Sequence, residues 1–221
     1  MHATAEAKTT LEPQKEVLAK NLGIPVKSLD KIPEDELYIF PGTKAPENID
    51  EQNVTTAAGE VPLSQSYSYH FSQQPAHEVD GGSVKIVDPN SFPIAQDFSA
   101  ALVTVKPGAL REIHWHPSSD EWTFFIRGQG RATLFEAPDT ATTFDYHAGD
   151  VGYFPQSNSH YVENTGDDDL VFLEVLQTDA FTDISLGQWL GSTPRQIVAD
   201  TLNLDDEALD TLKSEKQYIV S

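Results

Sequence analysis

Between residues 66 and 178, short apolar runs alternate with polar positions and are cut by Gly, Pro, Asn and Asp. An extended chain points successive side chains to opposite faces, so this period of two predicts β-strands. The candidates are Ala101–Val105, Ile113–His116, Glu121–Ile126, Ala132–Phe135, Phe144–Tyr146, Val151–Phe154, His160–Glu163 and Leu170–Leu176. Gly128–Gly130 and Asn164–Asp167 carry the residues of hairpin turns. Many short strands at close spacing predict an antiparallel sandwich or small barrel over 66–178. The flanks read differently. Residues 1–65 are polar and Pro-rich with helical pieces, and residues 179–221 turn helical and acidic.

Those flanks carry an internal repeat. Glu16–Phe40 aligns without gaps to Gln196–Val220, an offset of 180 residues. Identical pairs are Ala19/Ala199, Leu22/Leu202, Leu29/Leu209, Asp30/Asp210, Tyr38/Tyr218 and Ile39/Ile219. Unrelated segments of this length share about one or two identities by chance. Two similar amphipathic helices are the plainer alternative. Each copy is read as the helical tail of a β-domain. The second follows the β-domain of this chain, and the first is expected to follow another that this chain lacks.

Length and composition narrow the classes. With 221 residues and 38% hydrophobic, the chain can build one packed domain with appendages. Its 14 basic against 35 acidic residues leave a net charge of −21, which argues against nucleic acid or an anionic membrane as partner. No apolar run approaches the roughly 18–20 residues of a membrane span. Residues 1–10 have no apolar stretch of the signal-peptide kind. Without cysteine there is no disulfide and no thiolate, so any metal must be held by His and carboxylates. Asn53–Thr55 is a glycosylation sequon in a polar loop. An extracellular, acid-tolerant protein is the expectation, with the cytoplasm as the alternative.

The candidate chemistry gathers on four residues. His114 and His116 are two apart on a strand and share a face. Glu121 opens the next apolar run, and His160 opens a strand further on. Three imidazoles and a carboxylate suit a divalent first-row metal, and this donor set admits Mn, Fe, Zn, Ni or Cu. Taken alone, a His-x-His pair on an exposed strand is an equally fair reading. Glu174 alternates with Phe172 and Leu176 on a strand that is apolar on both faces. A carboxylate there must be paired or shift its pKa upward, as a general acid or base does. Tyr153, Tyr161 and Trp122 are read as core or pocket lining, and His70 and His77 as packing ahead of the barrel.

Two spaced motifs carry a resemblance. Gly108, His114, His116, Glu121 and Gly128 match the first motif of the cupin superfamily. Gly149, Pro155, His160 and Asn164 match the second, with Ser157 where that motif has Gly. Arg111–Pro117, Gly149–Tyr153, His160–Gly166 and Leu170–Val175 are similar to the C-terminal half of the bicupin oxalate decarboxylases. The resemblance implies a mainly β fold, a jelly-roll barrel with N- and C-terminal helical extensions. It implies manganese held by His114, His116, Glu121 and His160, with dioxygen as co-catalyst. It also implies oxalate or a similar small dicarboxylate as substrate, and homo-oligomers such as trimers or hexamers.

The resemblance singles out three more residues. Arg111 matches the arginine that contacts oxalate oxygens. It stands three residues before His114, so strict alternation puts it on the opposite face unless Leu110–Ile113 is bulged. Glu174 matches a carboxylate near the metal. Thr178–Leu186 matches the family's lid and reads Phe181-Thr-Asp183-Ile-Ser185, with Asp183 where the fast decarboxylase site carries a Glu. Its shorter side chain leaves three outcomes open: a decarboxylase, an oxalate oxidase, or a non-catalytic metal-binding or assembly cupin.

Overall fold

The computed structural model describes residues 15–32, 39, 47, 55–56, 59–60 and 62–221. It divides into two units, Met1–Asn53 and Val54–Ser221. Pro13, Tyr38, Phe40 and the sequon Asn53 lie outside the described residues.

In the first unit a helix covers residues 15–22 (α1). Gly23 stops it at φ 67°, and a 3-10 helix follows at Val26–Lys31. Among the described residues of that unit Ala19 and Leu29 are buried, while Val17, Leu22 and Ile32 stay more than half exposed.

The second unit begins with a small ladder, Thr55–Thr56 (β1) against Gly59–Glu60 (β2). Twelve further strands and three helices follow in order. They are His77–Val79 (β3), Gly82–Val87 (β4), Ser99–Val105 (β5), Leu110–Trp115 (β6), Glu121–Arg127 (β7), Gln129–Glu136 (β8), Thr140–His147 (β9), Val151–Phe154 (β10), His160–Asn164 (β11), Leu170–Leu176 (β12) and Ile184–Ser185 (β13). Leu186–Ser192 (α2), Arg195–Leu202 (α3), Asp206–Thr211 (α4) and Ile219–Val220 (β14) complete it. One sheet has the order β10-β7-β12-β5-β4-β3 and the other β13-β6-β11-β8-β9, with β14 also on β6. All pairings are antiparallel. This is the expected mainly β architecture.

Alternation builds the core. Along β5 every second residue from Ser99 to Val105 is buried, and along β12 the same holds from Leu170 to Leu176. Val103, Phe125, Phe154, Leu170 and Phe172 meet between the sheets, each at most 2% exposed. Phe125 stacks on Tyr146 with ring centroids 4.3 Å apart. Gly82 has φ 151°, and a Cβ there would meet the Thr104 carbonyl oxygen at 2.0 Å, so β4 can approach β5 only with glycine at this point.

The repeat falls on matching backbone. Residues 15–22 and 195–202 are both helical, and Gly23 and Asn203 both stop their helix in the left-handed region. Leu29 and Leu209 are both buried. In the second copy Asp205 caps α4 by accepting the Ala208 N–H at 2.9 Å. Arg195 of α3 reaches Asp206 and Asp210.

Tail strands close one edge of β6. Ser185 faces His114 near one end, and Ile219 faces Arg111 near the other. His77 does not precede the sheet but pairs with Val84 in β3, its edge strand. Trp122 and Tyr153 face each other on the outer side, 59% and 51% exposed, and line no pocket at the core. Among the described residues no helix is long and apolar enough to cross a membrane.

Candidate metal centre

Strict alternation would separate Arg111 from His114, but β6 is bulged. His160 pairs with His114 and Val162 with Arg111, so Tyr161 alone opposes both Glu112 and Ile113. One extra residue restores Arg111 to the inner face. Arg111 and His114 are both 0% exposed.

His114 and His116 come from β6 and its end, Glu121 opens β7, and His160 opens β11. The two sheets therefore each supply ligands. All four candidate ligand atoms lie within 4.8 Å of one another, and all four residues are buried.

Backbone carbonyls orient the rings. His114 Nδ1 lies 2.7 Å from the Glu112 carbonyl, His116 Nδ1 2.9 Å from that of Thr182, and His160 Nδ1 3.0 Å from that of Asn158. Each carbonyl can only accept, so each Nδ1 carries the proton and each Nε2 offers a lone pair inward. Phe154 stacks on the His160 ring at 4.2 Å, and Phe181 meets His116 edge-on at 5.6 Å.

A cation fits this set. His114 Nε2 and His116 Nε2 are buried without a hydrogen-bond partner, which is costly unless a metal takes the lone pairs. His116 Nε2 lies 2.7 Å from Glu121 Oε2 without hydrogen-bond geometry, as two ligands of one ion do. Burial and the charge of Arg111 hold the His114 imidazole far below its usual pKa, so it is neutral and ready to ligate. Burial raises the Glu121 carboxyl, but the imidazoles of His160 and His116 outweigh it and hold it well below the usual range. Thr123 donates its hydroxyl to Glu121 Oε1. This is a metal site of three His and one Glu.

Beside it lies a charged group. Arg111 Nε donates to Glu174 Oε1 at 3.0 Å, and Nη2 reaches Glu174 Oε2 at 3.5 Å and Asp183 Oδ2 at 2.5 Å. Glu174 sits in mid-β12 between β5 and β7, 0% exposed. Burial pushes its carboxyl above the usual value against the pull of Arg111. A divalent cation in the cluster would draw it back down. Burial also opposes ionisation of Asp183, yet Arg111 and Lys216 hold that carboxyl below the usual range. Ser157 lies at φ 65°, donating its N–H to the His116 carbonyl at 2.9 Å.

Two participants carried no sequence signal. Lys216 and Glu112 join this network from the tail and from the bulge, Lys216 Nζ lying 2.8 Å from Asp183 and 3.0 Å from Glu112. The repeat does not flag Lys216, because its counterpart in the first copy is Glu36.

A β-sandwich carrying three inward imidazoles and a carboxylate defines a metal-binding jelly roll, and the comparisons agree. The chain belongs to the cupin family, whose sequence profile matches residues 68–210. It is 42% identical over 206 residues to oxalate decarboxylase OxdC of Bacillus subtilis, covering 93% of this chain and 53% of that protein. It is 40% identical over 210 residues to a probable oxalate decarboxylase of Arthroderma benhamiae, covering 94% and 51%. The chain thus spans about half the length of these curated relatives. The structure of the Bacillus subtilis enzyme at pH 4.6 superposes with a TM-score of 0.80 at 42% identity, over 93% of this chain and 53% of that one. Another structure of that enzyme, also at 0.80, concerns its Mn(II) centres.

Proposed function

We propose that this cupin is a manganese-dependent oxalate decarboxylase, converting hydrogen oxalate to formate and carbon dioxide. The observation that carries the reading is the fully buried Arg111, held between Glu174 and Asp183 beside the metal ligands. A buried guanidinium fork matches a small carboxylate, and the similarity to named oxalate decarboxylases supports oxalate as that carboxylate.

A divalent ion on His114, His116, Glu121 and His160 supplies Lewis-acid polarisation of a carboxylate oxygen and, with dioxygen, one-electron chemistry. The chain's own residues do the rest. Arg111 holds a substrate carboxylate by charge-assisted hydrogen bonds. Glu174 takes the carboxyl proton of hydrogen oxalate as the C–C bond breaks, and returns it to the carbon that becomes formate. Burial pulls its carboxyl toward the protonated form, while Arg111 and a bound cation pull it toward the ionised one, so both states are within reach for taking and giving a proton. Residues 181–183 form a roof on the cluster, Phe181 and Thr182 against His116 and Asp183 against Arg111. If the proton arrives too slowly, a second electron leaves instead. Hydrogen oxalate, dioxygen and a proton then give two carbon dioxide and hydrogen peroxide, the oxidase outcome.

The test is turnover of oxalate by the manganese-loaded protein, with formate and peroxide both measured. Formate in excess supports decarboxylase, and peroxide in excess supports the oxidase alternative. Stoichiometric metal with no turnover would favour a non-catalytic, metal-binding cupin.

We further infer a homo-oligomer. The outward residues of β7 and β10, Trp122, Phe124, Ile126, Val151 and Tyr153, are all 46–59% exposed and uncharged. In a chain of net charge −21, such a face can meet its own copy without repulsion. Sedimentation of the parent and of Trp122→Glu would show the assembly and its loss.

A further inference from the structure

The chemistry above leaves Lys216 unused. Asp183 Oδ2 lies 2.5 Å from Arg111 Nη2 and 2.8 Å from Lys216 Nζ, so one carboxylate oxygen is shared by two cations. Lys216 is held from behind by Glu112 Oε1 at 3.0 Å, and Glu112 in turn accepts the Tyr218 N–H at 2.9 Å. The lysine ammonium also lies 5.4 Å above the Tyr218 ring. On its other side Lys216 lines a cavity of about 430 Å3 with His77, Ile86 and Tyr218.

Arg111 has little left to offer a third carboxylate. Its Nε and Nη2 serve Glu174 and Asp183, and Nη1 donates to the Tyr218 carbonyl at 3.4 Å. One of the two carboxylates must yield to an incoming anion. Glu174 is anchored in mid-strand with neighbours on both sides. Asp183 lies outside the strands, on the segment that joins β12 to β13, and β13 pairs with β6 through Ile184 and Ser185 alone. A buried carboxylate stripped of every cation costs far more than one that keeps a cation.

We propose that Lys216 is the positioning residue that keeps the Asp183 carboxylate when a substrate carboxylate takes its place on Arg111. The roof then opens by passing one anion from two cations to one. The inference rests on the reading of Arg111 as the holder of a substrate carboxylate. It gives the tail a part in substrate entry, since β14 pairing on β6 fixes where Lys216 stands.

The experiment is calorimetric titration of oxalate into the manganese-loaded, full-length protein under argon. The variants are Lys216→Met, Lys216→Arg, Asp183→Asn and the double variant Lys216→Met/Asp183→Asn, each checked for folding and metal content. Lys216→Met is expected to weaken oxalate binding about tenfold, because Asp183 can then leave Arg111 only as an unpaired buried charge. Lys216→Arg is expected to restore most of it. In the Asp183→Asn background Lys216→Met is expected to change nothing, which a merely structural lysine would not predict. Tighter binding in Lys216→Met would make Lys216 a latch that holds the roof shut, and would overturn the proposal. So would equal loss in both Asp183 backgrounds. If the parent itself binds no oxalate while fully metallated, the oxalate reading fails and this inference falls with it. If the parent binds and Lys216 is indifferent, only this inference fails.

Discussion

Replacing Glu174 with Gln separates proton transfer from architecture. The side chain is fully buried and meets Arg111 at 3.0 and 3.5 Å. Glutamine keeps the shape but removes the charge, and its amide can accept through one oxygen only. Hydrogen bonds to a charged group are worth about 1.5–3 kcal/mol each. Burial already opposes ionisation of this carboxyl, so part of that loss is offset by relief of desolvation. Arg111 also keeps Asp183 as a counter-charge. The net cost is about 1–2 kcal/mol. A domain stable by about 5–15 kcal/mol remains folded after such a loss. Losing a general acid or base, by contrast, costs about 10²–10⁴ in rate. Metal content and melting temperature should therefore be close to the parent's, while formate production from oxalate falls at least a hundredfold. Activity within about threefold of the parent, with manganese bound, would remove Glu174 from the mechanism.

Four further outcomes are expected. His116→Ala should lower bound manganese per chain by elemental analysis, and undiminished stoichiometry would end the ligand assignment. Asp183→Ala should shift the ratio of formate to peroxide; an unchanged ratio would leave product choice to the metal shell. Asp183 also titrates below its unfolded value of about 3.9, so the folded state binds fewer protons in that window. Its stabilisation is present above about pH 3.9 and is lost as pH falls through the folded value, so Asp183→Asn should flatten that part of the stability profile in urea titrations. Ser157→Gly should stabilise the fold by about 0.5–1 kcal/mol, because an L-residue at φ 65° is strained by about 1–2 kcal/mol and glycine returns part of it as unfolded-state entropy. A melting temperature that fails to rise by about 1–3 °C would refute this.

Strands whose two faces differ in polarity are legible in residue order alone. Ala101–Val105 and Leu170–Leu176 alternate because one face meets the core, and both fall inside observed strands. The metal ligands were legible for the same reason: His114 and His116 share a face by period, and the spacing to Glu121 and His160 is a cupin pattern. The internal repeat was legible too, and its helices and left-handed stops recur at matching positions.

The remaining features depend on which strand lies alongside, and local pattern does not carry that. Arg111 reaches the inner face only because Tyr161 opposes two residues of β6, and no property of Leu110–Ile113 alone encodes that slip. β3, β13 and β14 are two or three residues long, too short to show a period, and exist because a neighbour offers its edge. Trp122 and Tyr153 are apolar yet point outward, since alternation says which residues share a face and not which face is covered. Lys216 lies 105 residues from Arg111 in sequence and meets the same carboxylate oxygen in space. That meeting depends on the register of β14 against β6, where Ile219 pairs with Arg111 and packs against Gly81, a residue distant in sequence.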